Sequence, residues 1–100
     1  MKKRKGNSPE VREFIRKHSD LFWYLRQDAK ENISHEVLVE FILNYGNEKT
    51  IKELFDLLGV KYVAGIFRKQ TARGKRINYF PEIRQYFNMY FDRHAPSNTH

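Results

Sequence analysis

TIKELFDLLGVKYVAGIFRKQ, from Thr50 to Gln70, decides the fold. In its first half Ile51, Leu54, Phe55 and Leu58 recur at the spacing that lines one face of an α-helix. Thr50 with Glu53 three residues on reads as a capping box, in which the two side chains answer free backbone N–H groups of the first turn. Gly59 closes that helix. The second half has two readings. Val60, Val63 and Phe67 continue a helical period, whereas Gly65 weakens it and the alternation of Tyr62, Ala64 and Ile66 suits a strand.

The segments on either side are helical in pattern. Upstream, Ser34 opens SHEVLVEFILNYG, whose Val37, Leu38, Phe41, Ile42 and Tyr45 share a face; Gly46 suits the left-handed position that ends many helices. Earlier still, Ser8 caps and Pro9 occupies the first helical position of a segment with Val11, Phe14 and Ile15 on one side. Ser19 or Asp20 can start a brief helix in SDLFWYL, and QDAKEN reads as a loop. Downstream, Pro81 begins a helix with Ile83, Tyr86, Phe87, Tyr90 and Phe91 on its apolar face. Arg93 and His94 sit in its last turn, where cations suit the helix dipole, and Pro96 ends it. The expected fold is all-α: a compact bundle of five to six short helices, with a candidate helix-turn-helix at 50–70. Residues 8–95 form the single domain, 1–7 a basic disordered arm and 96–100 a flexible tail.

Composition bounds the function. Forty per cent hydrophobic and 15% aromatic residues in 100 belong to a folded globule rather than a disordered tail. Without cysteine there is no disulfide and no thiolate metal site. No apolar run approaches the roughly 20 residues that span a bilayer, and no apolar stretch comes after the basic start MKKRKGN as a signal peptide requires. A cytoplasmic protein is expected. The net charge of +7 is uneven: +4 over residues 1–20, −3 over 21–60 and +6 over 61–100. Basic faces of this kind attract polyanions.

Catalytic patterns fail one by one. His35-Glu36 begins a His-Glu-x-x-His zinc motif, but the second histidine would fall at Val39. Gly74-Lys75 lacks the rest of a phosphate-binding loop. RGKRINYF opens like an RNA-recognition signature, yet Lys75 and Arg76 stand where an aromatic and a small residue belong. Asp20, Asp28, Glu31 and Glu36 flank helix starts, where carboxylates are at home. No enzyme, cofactor or metal is expected.

Binding patterns carry further. With Gly59 in the turn of a helix-turn-helix, Lys61, Tyr62 and Gly65 would face the major groove. Arg68, Lys69, Arg73, Lys75 and Arg76 would meet phosphates. Phe55 and Gly65 fit that motif poorly, because it wants a small residue at the first position and an apolar anchor at the second. FRKQTARGKR (67–76) holds five cations and no acid, and reads first as a helix connection, second as a phosphate-facing surface. Among the aromatics, Trp23 and Tyr79 are the candidates for contact with a partner protein, since large amphipathic rings dominate such interfaces.

LFWYL (21–25), a helix ending ILNYGN (42–47) and the helix IKELFDLLG (51–59) together resemble a group of small bacterial helical proteins. Members are often encoded beside abortive-infection, nucleotidyltransferase-like toxins. The resemblance covers about residues 20–68 and rests on Phe22, Trp23, Asn44, Tyr45 and Gly46. It implies an antitoxin-like protein that neutralises or regulates a partner, such a toxin being one candidate, and it lends no catalytic residue. A DNA-binding regulator is the alternative.

Overall fold

The computed structural model describes residues 7–22, 33–74 and 76–96. The basic arm up to Gly6, the last three residues of LFWYL from Trp23 on, the QDAKEN loop, Lys75 and the SNTH tail lie outside the described residues. The elements run α1 (Pro9–Lys17), a 3-10 turn (Ser19–Phe22), α2 (His35–Tyr45), α3 (Glu48–Leu58), α4 (Val60–Gln70) and α5 (Pro81–His94). The all-α expectation holds, with no strand among the described residues. The open question at 60–67 resolves as helix.

Local chemistry sets most helix starts. Ser8 Oγ accepts from the Val11 N–H at 3.2 Å and Ser34 Oγ from the Val37 N–H at 3.1 Å, each answering a donor that the first turn leaves free. α3 begins earlier than the capping box predicts. Asn47 is its cap, with Oδ1 accepting from the Thr50 N–H at 2.8 Å. Asparagine caps at least as well as threonine, and the earlier start buries Thr50, whose methyl group lies near Gly46. At the start of the described residues, Asn7 Nδ2 donates to the Ile33 carbonyl at 2.9 Å.

Glu53 is thereby free for another task. Its Oε1 accepts from His18 Nε2 at 2.9 Å and its Oε2 from Lys17 Nζ at 3.3 Å, tying α3 to the end of α1. The His18 ring foremost, and then Lys17, hold the Glu53 carboxyl below its ordinary value of 4.5, against the opposite pull of partial desolvation. A carboxyl depressed by folding contributes stability above its unfolded value and loses it as pH falls through the lower, folded value. The unfolding midpoint should therefore fall as pH drops below 4.5. Glu53→Gln should flatten that acid limb in thermal melts, and a limb unchanged by the substitution would remove this pair as its cause.

The core forms where α2, α3 and α4 pack on one another. Ile15 of α1 and Phe22 of the turn reach it from one side, beside Leu38, Ile42, Leu54, Val63 and Phe67, all fully buried. Phe87 and Phe91 close it from α5, with the Phe67 and Phe91 rings 5.3 Å apart. Asn44 secures the approach to α5 by donating to the Asn78 carbonyl and accepting from the Phe80 N–H, both at 3.1 Å. The segment 78–80 thus finds on a side chain the partners a neighbouring strand would give it.

Candidate functional site

The basic surface drawn from the sequence is only partly present. Arg68 is not free for phosphate. One guanidinium nitrogen donates to the Ala95 carbonyl at 2.8 Å, and the other donates to the Phe91 carbonyl at 3.1 Å and lies 3.7 Å from the Asp92 carboxylate. The Phe91 carbonyl already accepts the Ala95 N–H at 2.9 Å, and the Ala95 carbonyl lies just past the end of α5, so Arg68 reinforces this helix end from α4. Lys61, Lys69, Arg73 and Arg76 are exposed; Lys75 lies outside the described residues. Among those four, Lys61 and Lys69 share a helix face by their spacing.

Tyr79 is corrected as a partner-binding residue. It is 6% exposed. Its ring lies 5.0 Å from that of Phe67, and its hydroxyl donates to Gln70 Oε1. Burial pushes the phenol well above its ordinary range, with Glu40 adding to the shift. A tyrosine so placed braces the connection between α4 and α5 and offers no surface. Trp23, the other aromatic candidate, lies outside the described residues.

The exposed rings are elsewhere. Tyr86 belongs to the apolar face predicted for α5, yet 58% of it is exposed. It stands at the edge of an arc spanning about 140° at 100° per residue, wider than the core can cover. Beside it runs an open groove of about 510 Å³ between α3 and α5, reaching the end of α2 at Gly46. Leu43 and Phe87, both almost fully buried, are part of its lining. Phe55 of α3 stacks on Tyr90 of α5 with centroids 5.6 Å apart, and Tyr90 stacks in turn on Tyr86 at 6.1 Å. The charged lining residues are Glu48 and Lys52, of opposite sign. At the entry to α5, Tyr45 and Phe80 meet edge to face at 5.5 Å while about half of each stays exposed.

One sequence signal points here. α5 and its approach carry more rings than one helical stripe can bury, at Phe80, Tyr86, Phe87, Tyr90 and Phe91. Phe55 is the matching clue on α3: the bulk that fits a helix-turn-helix poorly reaches across to Tyr90.

Two further polar contacts tie α2 to α4. His35 Nδ1 and the Tyr62 hydroxyl are 2.7 Å apart, and Gln70 Nε2 donates to the Glu36 carbonyl at 3.0 Å. Among the described residues no group of three metal-ligating side chains converges, and no buried polar side-chain atom is left unpaired. Nor is any described helix long and apolar enough to cross a membrane. No family model matches the chain, and neither does any curated protein or solved structure.

Proposed function

We propose that this is a non-enzymatic, antitoxin-like interaction protein of a toxin–antitoxin or phage-defence locus, acting in the cytoplasm to neutralise or regulate a partner protein. The observation that carries the reading is the stacked series Phe55–Tyr90–Tyr86 beside an open apolar groove. Stacked aromatics on a solvent-facing surface are the residues that carry most binding energy when a partner covers them. Tyr86 also keeps more than half of its surface exposed. Glu48 and Lys52 cancel in charge, so the groove selects by shape and apolarity rather than by sign. Its occupant is an amphipathic segment of the partner protein, apolar side inward.

The helix-turn-helix regulator has less support. α3 and α4 are joined through Gly59 alone, where such a motif uses a turn of three to four residues. Arg68, at the head of the 68–76 surface it would use, is engaged with α5.

The test is co-expression with the product of the adjacent gene, followed by size-exclusion chromatography. The wild-type chain should co-elute with that protein. Tyr86→Glu should abolish co-elution while leaving the melting temperature within a few degrees, because the ring is exposed. Co-elution that survives Tyr86→Glu would refute the groove as the contact, and failure of the wild type to associate would refute the pairing itself.

A further inference from the structure

Gly65 lies in the interior of α4, where glycine is a poor choice. It costs backbone entropy there relative to alanine. Nothing among the described residues asks for it. Its φ is not among the positive values, which belong to Gly59 and Gly74. Among the described residues a Cβ added at Gly65 would meet nothing within 4 Å, so no described neighbour needs the space either. The residue is exposed. Whatever benefits from a bare backbone at this point therefore approaches from outside.

The surroundings say what that is. Lys61 and Lys69 lie one turn before and one turn after Gly65 on the same face, roughly 12 Å apart along the axis. Both are exposed, as are Arg73 and Arg76 beyond the end of the helix. Tyr62 stands beside the glycine, 48% exposed, with its hydroxyl held by His35 Nδ1 at 2.7 Å. Two cations about a bare backbone, with a fixed ring alongside, suit a strand that repeats anionic groups and carries flat rings. We propose that the Lys61–Gly65–Lys69 ridge of α4 receives the sugar–phosphate backbone of a nucleic acid. The strand crosses the helix at Gly65, where the missing Cβ admits it. The lysines take phosphates on either side, and Tyr62 lends its ring to a sugar or base.

Glu36 lines the same shallow groove and works against an anion. The strand accordingly rides on the α4 ridge rather than sinking toward α2. This ridge uses none of the residues of the aromatic groove, so the two readings stand or fall separately.

The experiment is fluorescence anisotropy with a labelled mixed-sequence DNA, single-stranded and as a duplex, over a salt series. Four proteins are compared: wild type, Gly65→Ala, the double variant Lys61→Gln with Lys69→Gln, and Glu36→Gln. The wild type should bind, and the double lysine variant should lower the slope of log affinity against log salt by roughly 1.4 to 1.8, two phosphates' worth. Gly65→Ala should raise the melting temperature by a few degrees and weaken binding several-fold, a divergence that misfolding cannot mimic. Glu36→Gln should tighten binding. If Gly65→Ala binds DNA as the wild type does at every salt concentration, the close approach is overturned and only a diffuse positive field is left. No binding at low salt, equal competition by polyglutamate, or an unchanged slope in the lysine variant would each overturn the proposal as well.

Discussion

Phe67→Ala is expected to lose about 3–5 kcal/mol of stability, against a total of roughly 5–15 kcal/mol for a domain of this size. The side chain is fully buried and joins three parts of the chain at once. Its ring lies 5.0 Å from Tyr79 in the connection, and 5.3 Å from Phe91 and 6.3 Å from Phe87 on α5. Truncation removes the ring's transfer energy and leaves a void bounded by other rings, which are too rigid to collapse into it. Denaturant titration should show the midpoint displaced to clearly lower concentration, with no cooperative transition if the wild-type stability lies at the low end of that range. Phe67→Leu, which keeps part of the volume, should still unfold cooperatively. An alanine variant within about 1 kcal/mol of wild type would mean that α5 is not docked through this residue.

Gly46→Ala is expected to cost about 1–3 kcal/mol, the usual penalty of forcing atoms into a filled space. A methyl group there would lie 2.7 Å from the Ile42 carbonyl oxygen, and 3.3 and 3.4 Å from methyl groups of Ile42 and Thr50. The nearest obstacle is backbone, and it is the same oxygen that accepts the Gly46 N–H at 2.8 Å, so yielding would loosen the end of α2. With φ at −77° the residue is extended, and its conformation asks nothing of glycine. Melting curves of Gly46→Ala and Gly65→Ala should therefore move in opposite directions. A Gly46→Ala protein as stable as wild type would show that the loop between α2 and α3 can shift to make room.

The glycines show where sequence reading succeeds and where it stops. Gly59, with φ +92°, closes α3 as its position implies, because a helix end in that region selects glycine from local sterics alone. Gly46 also ends its helix, but for a different reason. The left-handed turn expected of it is absent, and the true cause is the approach of Ile42 and Thr50, which no local pattern encodes. Ser8 and Ser34 are legible as caps since each acts within its own first turn. Thr50 misleads because Asn47, three residues earlier, competes for the same role, and only the burial of Thr50 decides between them.

Site residues are harder for a related reason. The cations of FRKQTARGKR look alike in sequence. Arg68 is set apart by carbonyls 23 and 27 residues away in the chain, an assignment that needs the tertiary structure. Tyr79, between Asn78 and Phe80 in the connection to α5, gives no hint that Phe67 will cover it. The strand-like alternation at 62–66 misleads because α4 buries Val63, Ala64, Ile66 and Phe67 together, two adjacent faces rather than one stripe. The groove, by contrast, is half visible: the excess of rings on α5 is countable, but not which of them stay outside.

The grip of Arg68 on the last carbonyls of α5 bears on how this helix would behave as an excised peptide. Fourteen residues are marginal for a helix alone in water. Its N-cap, Phe80, offers no side-chain acceptor, and its carbonyl end draws two of its hydrogen bonds from a different helix. Cut free, the segment would be mostly coil, and its aromatic residues would no longer share a face. Synthetic mimics of α5 would therefore need a staple or an added cap to present Tyr86 and Tyr90 together, since in the whole protein the order of that helix is supplied by its neighbours.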